Sequence, residues 1–341
     1  MTAREREHFE ENRDDAIDSI TVVIPTKDRP HLAANAAKMA LAQRGVSPQV
    51  LVVDNGSTPE NAATLREILD PRASLITEPA RIGVSAARNL GLHAATTRWV
   101  AFLDDDDYWT PDKLATQLHA LAQSPSLLWV MSGAVAVTED GRFVGLSQPA
   151  TIANLYREVL VHSPPAAMSD LVVDRMTALA VGGFRTDLAY WEDWDFVIRF
   201  AECAPEAAAV ADPLGVYWIR KSGVSSNIAD LSQALEVMID LHAARREAMS
   251  VVLDRVEIDY YLAYRATRFP DGGRFASNVY RSLFRRTRRP QFAVYVALCR
   301  FVPKSFSRLT EWDRLRRLSK TQRRQVSGLI AEARSSPFSG Q

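Results

Sequence analysis

Between residues 20 and 123 the chain alternates short, continuous apolar runs with helix-period segments, and few folds accept that pattern. Residues 20–24 form a β-branched run closed by Pro25, and residues 32–43 read as a helix. Residues 50–53 are a second run, followed by Asn55-Gly56-Ser57 and a helix from Pro59. Leu75-Ile76 gives a third short strand, residues 84–95 a helix and residues 99–103 a fourth strand. Strands that are apolar on both faces need a parallel sheet covered on both sides. The expectation is an α/β architecture, a Rossmann-like and mostly parallel sheet flanked by helices. Such sheets bind ligands beyond the carboxyl ends of their strands.

The remainder is mixed, then helical. A hairpin is expected around Glu139-Asp140-Gly141-Arg142, a strand at Leu171-Val172-Val173 and a helix starting near Trp191. From Ile228 the pattern is helical, broken at Asp271-Gly272-Gly273, Pro290 and Pro303. The boundaries expected are a charged segment over 1–19, the α/β domain over 20–227, a helical region over 228–335 and a frayed tail over 336–341. With 341 residues and a hydrophobic share of 47%, the chain can bury a large core. Two cysteines make no disulfide framework and fit a reducing compartment. The charged start has no signal-peptide core, and the run 292–299 is too short to span a bilayer. These features point to the cytoplasm.

Asp104-Asp105-Asp106-Asp107 follows directly on the fourth strand, at the sheet edge that holds ligands. Thr110-Pro111-Asp112 then reads as a helix start with a Thr cap. Four crowded carboxylates repel one another unless cations offset them. A divalent ion with oxygen ligands, Mn²⁺ or Mg²⁺, does so and in turn holds a diphosphate. Asp104 and Asp105 are therefore counted with the diphosphate site. Asp54 ends the second strand, where its carboxylate suits a ribose or a base edge, and Pro25-Thr26-Lys27-Asp28 ends the first. Arg81 and Arg88 flank a helix start and can face phosphates or the acidic run.

These motifs, Ile24-Pro25-Thr26, Val52-Val53-Asp54-Asn55-Gly56-Ser57, Gly83-Val84-Ser85-Ala86-Ala87-Arg88-Asn89 and Phe102-Leu103 with the four aspartates, stand in an order and spacing that resembles family 2 glycosyltransferases. The resemblance covers about residues 20–225. It implies the GT-A fold and inverting transfer from a UDP-, GDP- or dTDP-linked sugar to a sugar, lipid-linked or small-molecule acceptor. By that resemblance Pro25, Thr26, Asp28 and Asp54 hold the nucleoside. Asp104 and Asp106 become the two acids of a DxD motif, with Asp106 as the metal ligand. Many relatives carry a His shortly after the strand that ends here at Ile219. This chain has Arg220 and Lys221 instead, which stand as substitutes for that contact.

The segment 191–200 argues separately. Wound as a helix at about 100° per residue, it puts Trp194, Phe196, Val197, Ile198 and Phe200 on one arc, with Asp193 in the middle of that arc. Glu192, Asp195, Arg199 and Glu202 share the opposite side, and Asp195 with Arg199 makes an i,i+4 pair. A carboxylate on an apolar face is costly unless it has partners, caps the helix or lines a cleft. In a cleft its raised pKa suits a general base. The family resemblance agrees, since its Glu-Asp pair matches Glu192-Asp193, with Trp191 beside it in support. Gly182-Gly183-Phe184 reads as the turn that positions this helix.

The six histidines are scattered singly and suggest no metal cluster. Residues 281–334 hold fifteen Arg and Lys against three acids, interleaved with apolar residues. Such helices either pack on the catalytic domain or a second subunit, or rest on a membrane surface near a lipid-linked acceptor. No nucleic-acid motif accompanies the charge. A non-catalytic sugar-nucleotide-binding or scaffold protein on the same fold is the competing reading.

Overall fold

The structure, a computed structural model, describes residues 19–150, 154–164, 167–220, 227–268 and 272–338, leaving aside the side chains of 303 and 304. The first half alternates as expected: β1 (Ser19–Thr26), α1 (Pro30–Leu41), β2 (Ser47–Asn55), α2 (Pro59–Ile68), β3 (Ser74–Glu78), α3 (Val84–Ala94) and β4 (Trp99–Phe102). Then come β5 (Tyr108–Trp109), α4 (Lys113–Ala122), the hairpin of β6 (Trp129–Thr138) and β7 (Phe143–Ser147), and α5 (Leu155–Val161). A 3₁₀ turn at Met168–Asp170 leads into β8 (Leu171–Asp174), α6 (Arg175–Ala180), α7 (Glu192–Cys203) and β9 (Ala208–Ile219).

One nine-stranded sheet runs β3-β2-β1-β4-β8-β6-β9-β5, with β7 beside β6. Its β3-β2-β1-β4 half is parallel, while β8 pairs antiparallel with both β4 and β6. The sheet is therefore mixed, with β9 parallel to β6 and antiparallel to β5. Strand alternation splits the core in two. Ile20, Val22 and Ile24 pack on one side with α1, α4 and the end of the chain, and Val23 packs on the other with α3 and α7.

The chain after residue 227 adds α8 (Ile228–Leu241), α9 (Ala243–Ala248), α10 (Arg255–Ala266), α11 (Gly272–Thr287), α12 (Pro290–Phe301), α13 (Pro303–Arg317) and α14 (Lys320–Ser335). Pro290 and Pro303 start their helices, where a missing N–H costs nothing. Tyr260, Tyr280, Phe292, Tyr295 and Phe306 form an aromatic cluster among these helices. Helix α14 returns to the sheet, burying Val326, Leu329 and Ala333. Phe338 packs with them, so residues 336–338 are held and not frayed. Among the described residues, no helix is long and apolar enough to cross a membrane.

Thr110 does not cap a helix. Its hydroxyl donates to Leu214 O at 3.2 Å, and α4 begins three residues later at Lys113.

Candidate active site

The acidic run turns at the end of β4, and its four carboxylates diverge. Asp104 accepts from Arg88 Nη2 at 2.8 Å. Asp105 points inward, its side chain fully buried, accepting from Thr26 Oγ1 at 2.6 Å and paired with Arg29. Asp106 Oδ2 accepts from Arg29 Nη1 and from Arg220 Nε, each at 3.1 Å. Asp107 accepts from Ser169 Oγ at 2.6 Å, and Ser169 in turn accepts from the backbone N–H of Asp104. The crowding expected from four consecutive aspartates is thus eased by divergence and by three arginines. Thr26 holds one of the Asp105 oxygens, and Arg29 pairs with both.

Burial still leaves its mark. It pushes the Asp105 carboxyl up to about 7 against the pull of Arg29, with Asp106 adding to the rise. It also raises Asp106, which Arg29 pulls down and Asp104 pushes further up. Asp107 rises well above the carboxylate range through burial and then through Asp104 and Asp106.

At the neighbouring strand end, Asp54 lies opposite Thr26 in the β1–β2 register. Its Oδ1 accepts from Ser57 N at 3.1 Å, while Oδ2 is buried with no partner. Asn55 Oδ1 accepts from both Ile82 N and Gly83 N, which pins the loop ahead of α3. Gly56 has φ +71°, and a Cβ there would lie 2.3 Å from the Ala80–Arg81 peptide, so only glycine fits. Asp28 is also left-handed, at φ 56°. Its carboxylate accepts from Thr58 N and Asn61 Nδ2 and pairs with Lys27, ties that hold it down to about 2. Pro25 is buried, and Arg81 is exposed.

Helix α7 faces this edge. Trp191 enters it left-handed, at φ 63°, and its indole donates to Leu231 O at 2.9 Å. Arg88 is the bridge: buried at 4% exposure, it donates to Asp104 at one end and to Glu192 Oε1, at 3.0 Å, at the other. Asp193 is half-buried beside it and accepts from Trp194 N at 2.8 Å. Burial raises Asp193, although Arg88 pulls it down. Burial and the Asp193 charge push Glu192 up to about 7, again against Arg88. The turn before α7 is clasped by Asn89, which accepts from Phe184 N and donates to Phe184 O, both at 2.7 Å. A Cβ on Gly183 would meet Asn89 Oδ1 at 2.4 Å.

The opposite side of α7 is covered too. Asp195 is fully buried, accepting from Arg199 Nε and Nη2 at 2.9 and 2.6 Å and lying 3.0 Å from His242 Nε2. Burial alone would raise its pKa, but the His242 and Arg199 hydrogen bonds win and hold it low. Arg199 also donates to Val181 O and Gly183 O, which ties α7 to the glycine turn.

The fold thus brings together Thr26, Arg88, Asp104, Asp105, Asp106, Glu192, Asp193 and Arg220. Lys221 lies outside the described residues. Arg29, Ser169 and His242 are engaged residues that sequence reasoning missed. Their partners lie 76, 62 and 47 positions away, and only a Pro-capped helix start hinted at the first. Contrary to the scattered-histidine expectation, His162 lies with Asp254 and Glu257, with ligand atoms mutually within 4.8 Å. Asp254 Oδ1 is committed there to Val256 N and Glu257 N as the cap of α10.

Residues 21–170 match the family described as glycosyl transferase family 2. The succinoglycan biosynthesis protein ExoO of Rhizobium meliloti is 33% identical over 141 residues, which is 41% of this chain and 40% of that protein. The Escherichia coli UDP-Glc:alpha-D-GlcNAc-diphosphoundecaprenol beta-1,3-glucosyltransferase WfgD is 29% identical over 105 residues, 31% of this chain and 42% of that one. The chain therefore spans about two fifths of the length of these relatives. The solved mannosyltransferase PcManGT of Pyrobaculum calidifontis, in complex with GDP-Man and Mn²⁺, superposes with a TM-score of 0.53 at 18% identity, covering 92% of this chain and 86% of that one. That likeness concerns the fold alone. Residues 21–170, which hold the acidic run and the ends of β1 and β2, thus match glycosyl transferase family 2, and the chain carries them on a GT-A fold.

Proposed function

We propose that the chain is an inverting glycosyltransferase that moves a sugar from a nucleoside diphosphate to an acceptor hydroxyl in polysaccharide or glycoconjugate synthesis. The observation that carries this reading is Arg88, buried between Asp104 of the donor edge and Glu192 of the acceptor-side helix. One guanidinium fixes the distance between the two halves of a reaction. Asp193, next to Glu192, is the general base. It takes the proton of the acceptor hydroxyl as that oxygen bonds to the anomeric carbon. The carbon–oxygen bond to the diphosphate breaks on the other face, its electron pair leaves with the diphosphate, and the anomeric centre inverts. No enzyme nucleophile is needed.

The unpartnered Asp54 Oδ2 supplies an acceptor for a ribose or base donor, because a buried carboxylate oxygen left bare is costly. Pro25, Thr26 and Asp28 shape the same nucleoside floor, with Asp28 bracing it through Thr58 and Asn61. Asp106 is the residue that fits a divalent cation: it is partly exposed, its charge is only shared by two arginines, and oxygen ligands suit Mn²⁺ or Mg²⁺. Bound there, such an ion would supply charge neutralisation for the departing diphosphate. Arg29 and Arg220, both beside Asp106, would be placed to meet phosphate oxygens.

The test is thermal shift and transfer with purified protein, a panel of nucleoside diphosphate sugars, and Mn²⁺ or EDTA. A ligand that binds only the native state raises its melting point. A metal-dependent shift with one nucleotide, lost in Asp106→Asn, is the expected result. A shift unchanged by EDTA would assign the neutralising role to Arg29 and Arg220. No shift with any donor would leave the scaffold reading in its place.

A further inference from the structure

We propose that α12 docks the protein onto an anionic bilayer surface through its outward face. At about 100° per residue, Pro290, Ala293, Val294, Ala297 and Phe301 fall in one arc of about 100°. All five are exposed, Val294 at 56% and Phe301 at 80%. The inward arc is apolar as well, with Phe292 and Cys299 buried. A helix that is apolar all round is normally covered on every side. A contiguous exposed apolar stripe with a polar rim marks an interaction surface.

The rim says what covers it. Arg285, Arg288 and Arg289 are exposed just ahead of Pro290, and Arg300 edges the stripe. The chain continues through exposed Val302 to Leu309 and Trp312, each of the latter two 56% exposed, with the Arg316 guanidinium 4.4 Å from the Trp312 ring centroid. Fifteen basic residues against three acids lie in 281–334, while the whole chain is neutral. The basic excess of this region is thus balanced by an acidic excess elsewhere. An anionic plane would attract this end and repel the rest, which orients the molecule. Twelve residues of helix reach about 18 Å, too short to span a bilayer but suited to lie in its interface. Large aromatics with arginines are what such helices use.

The inference needs no sugar chemistry, so its failure would leave the transfer reading untouched. The test is co-sedimentation of the full chain with phosphatidylcholine vesicles, pure or containing about one third phosphatidylglycerol, at low and high salt. Binding should favour the anionic vesicles at least tenfold and weaken with salt. Phe301→Asp should lower it about tenfold or more, and Arg288→Glu with Arg289→Glu should lower it about fivefold or more for each charge. Phe301→Ser, milder and on an exposed site, guards against misfolding of the Asp variant and should lower binding in the same direction. Equal binding to both vesicle types, or none, overturns the proposal. So does a concentration-dependent dimer in analytical ultracentrifugation that Phe301→Asp dissolves while vesicle binding is absent, since the face would then belong to a second copy.

Discussion

Asp193 and Asp195 sit two residues apart on α7, and their surroundings treat them in opposite ways. Asp195 has a guanidinium fork and an imidazole, is held low and lies beyond the reach of water. Asp193 has one backbone N–H and a share of Arg88, is pushed up and keeps part of its surface exposed. One carboxylate fastens a helix, and the other, proposed as the base, is left under-compensated on it. Under-compensation of this kind costs stability and concentrates where chemistry is done. The same contrast separates Asp105, claimed from both sides, from Asp54, with one bare oxygen.

Breaking each side in turn should give opposite phenotypes. Asp193→Asn should reduce turnover about a thousandfold, within the range for loss of a general base, with the melting temperature unchanged or raised. Single-turnover transfer beside calorimetry reads both. Asp195→Ala should do the reverse, losing roughly 3–5 kcal/mol in denaturant melts because the Arg199 charge and His242 stay in place without their buried carboxylate. Its activity per folded molecule should fall far less than that of Asp193→Asn; an equal fall would mean that both acids serve the reaction.

A pH series sharpens the contrast. Glu192 is raised to about 7 by burial and then by Asp193, so kcat/KM should drop as pH falls through about 7, up to tenfold per unit, as this carboxylate pair gains a proton. The stability effect of that raised group has the other sign: its penalty is full above about 7 and is relieved as pH falls towards 4.5. Asp195 has a lowered folded pKa, so its stabilisation is complete above 3.8 and disappears only as pH falls below that value. Between 7 and 4.5 activity should therefore vanish from a molecule that remains folded, as circular dichroism beside the rate would show. The smallest effect is expected at Asn89→Ala, which removes two hydrogen bonds to the Phe184 peptide. About 1–2 kcal/mol should be lost, with KM and turnover both worsened modestly.

The half of the fold built from β1, β2 and β4 was legible because each of those strands is apolar on both faces and closed by a turn signal. Strand β9 was not. Its first residues, from Ala208, are interrupted by Asp212-Pro213, and the register against β6 shifts there, at Ser132 and Gly133. A proline tolerated at a bulge reads from sequence as a loop. In the site, Asp54, Asp104, Asp106 and Asp193 stood out because strand ends and a helical wheel place them. Their neutralising partners did not. The helical wheel put Asp195 opposite the core without showing that α8 and α9 would cover that side and bring His242 to it. A single periodicity reports one buried face, and α7 has two.

Tyr108, on the edge strand that follows the acidic run, donates its hydroxyl to Glu332, 224 residues further on. During synthesis at about 5–20 residues per second, that edge waits roughly 11–45 s for its cover. Over that interval the apolar surface that Val326, Leu329 and Phe338 will close is open to chaperones or to other nascent chains. Shortened versions that stop before α14 should therefore collect in inclusion bodies, however complete their acidic run and base helix, and a purification handle is better placed at the amino end than beside Phe338.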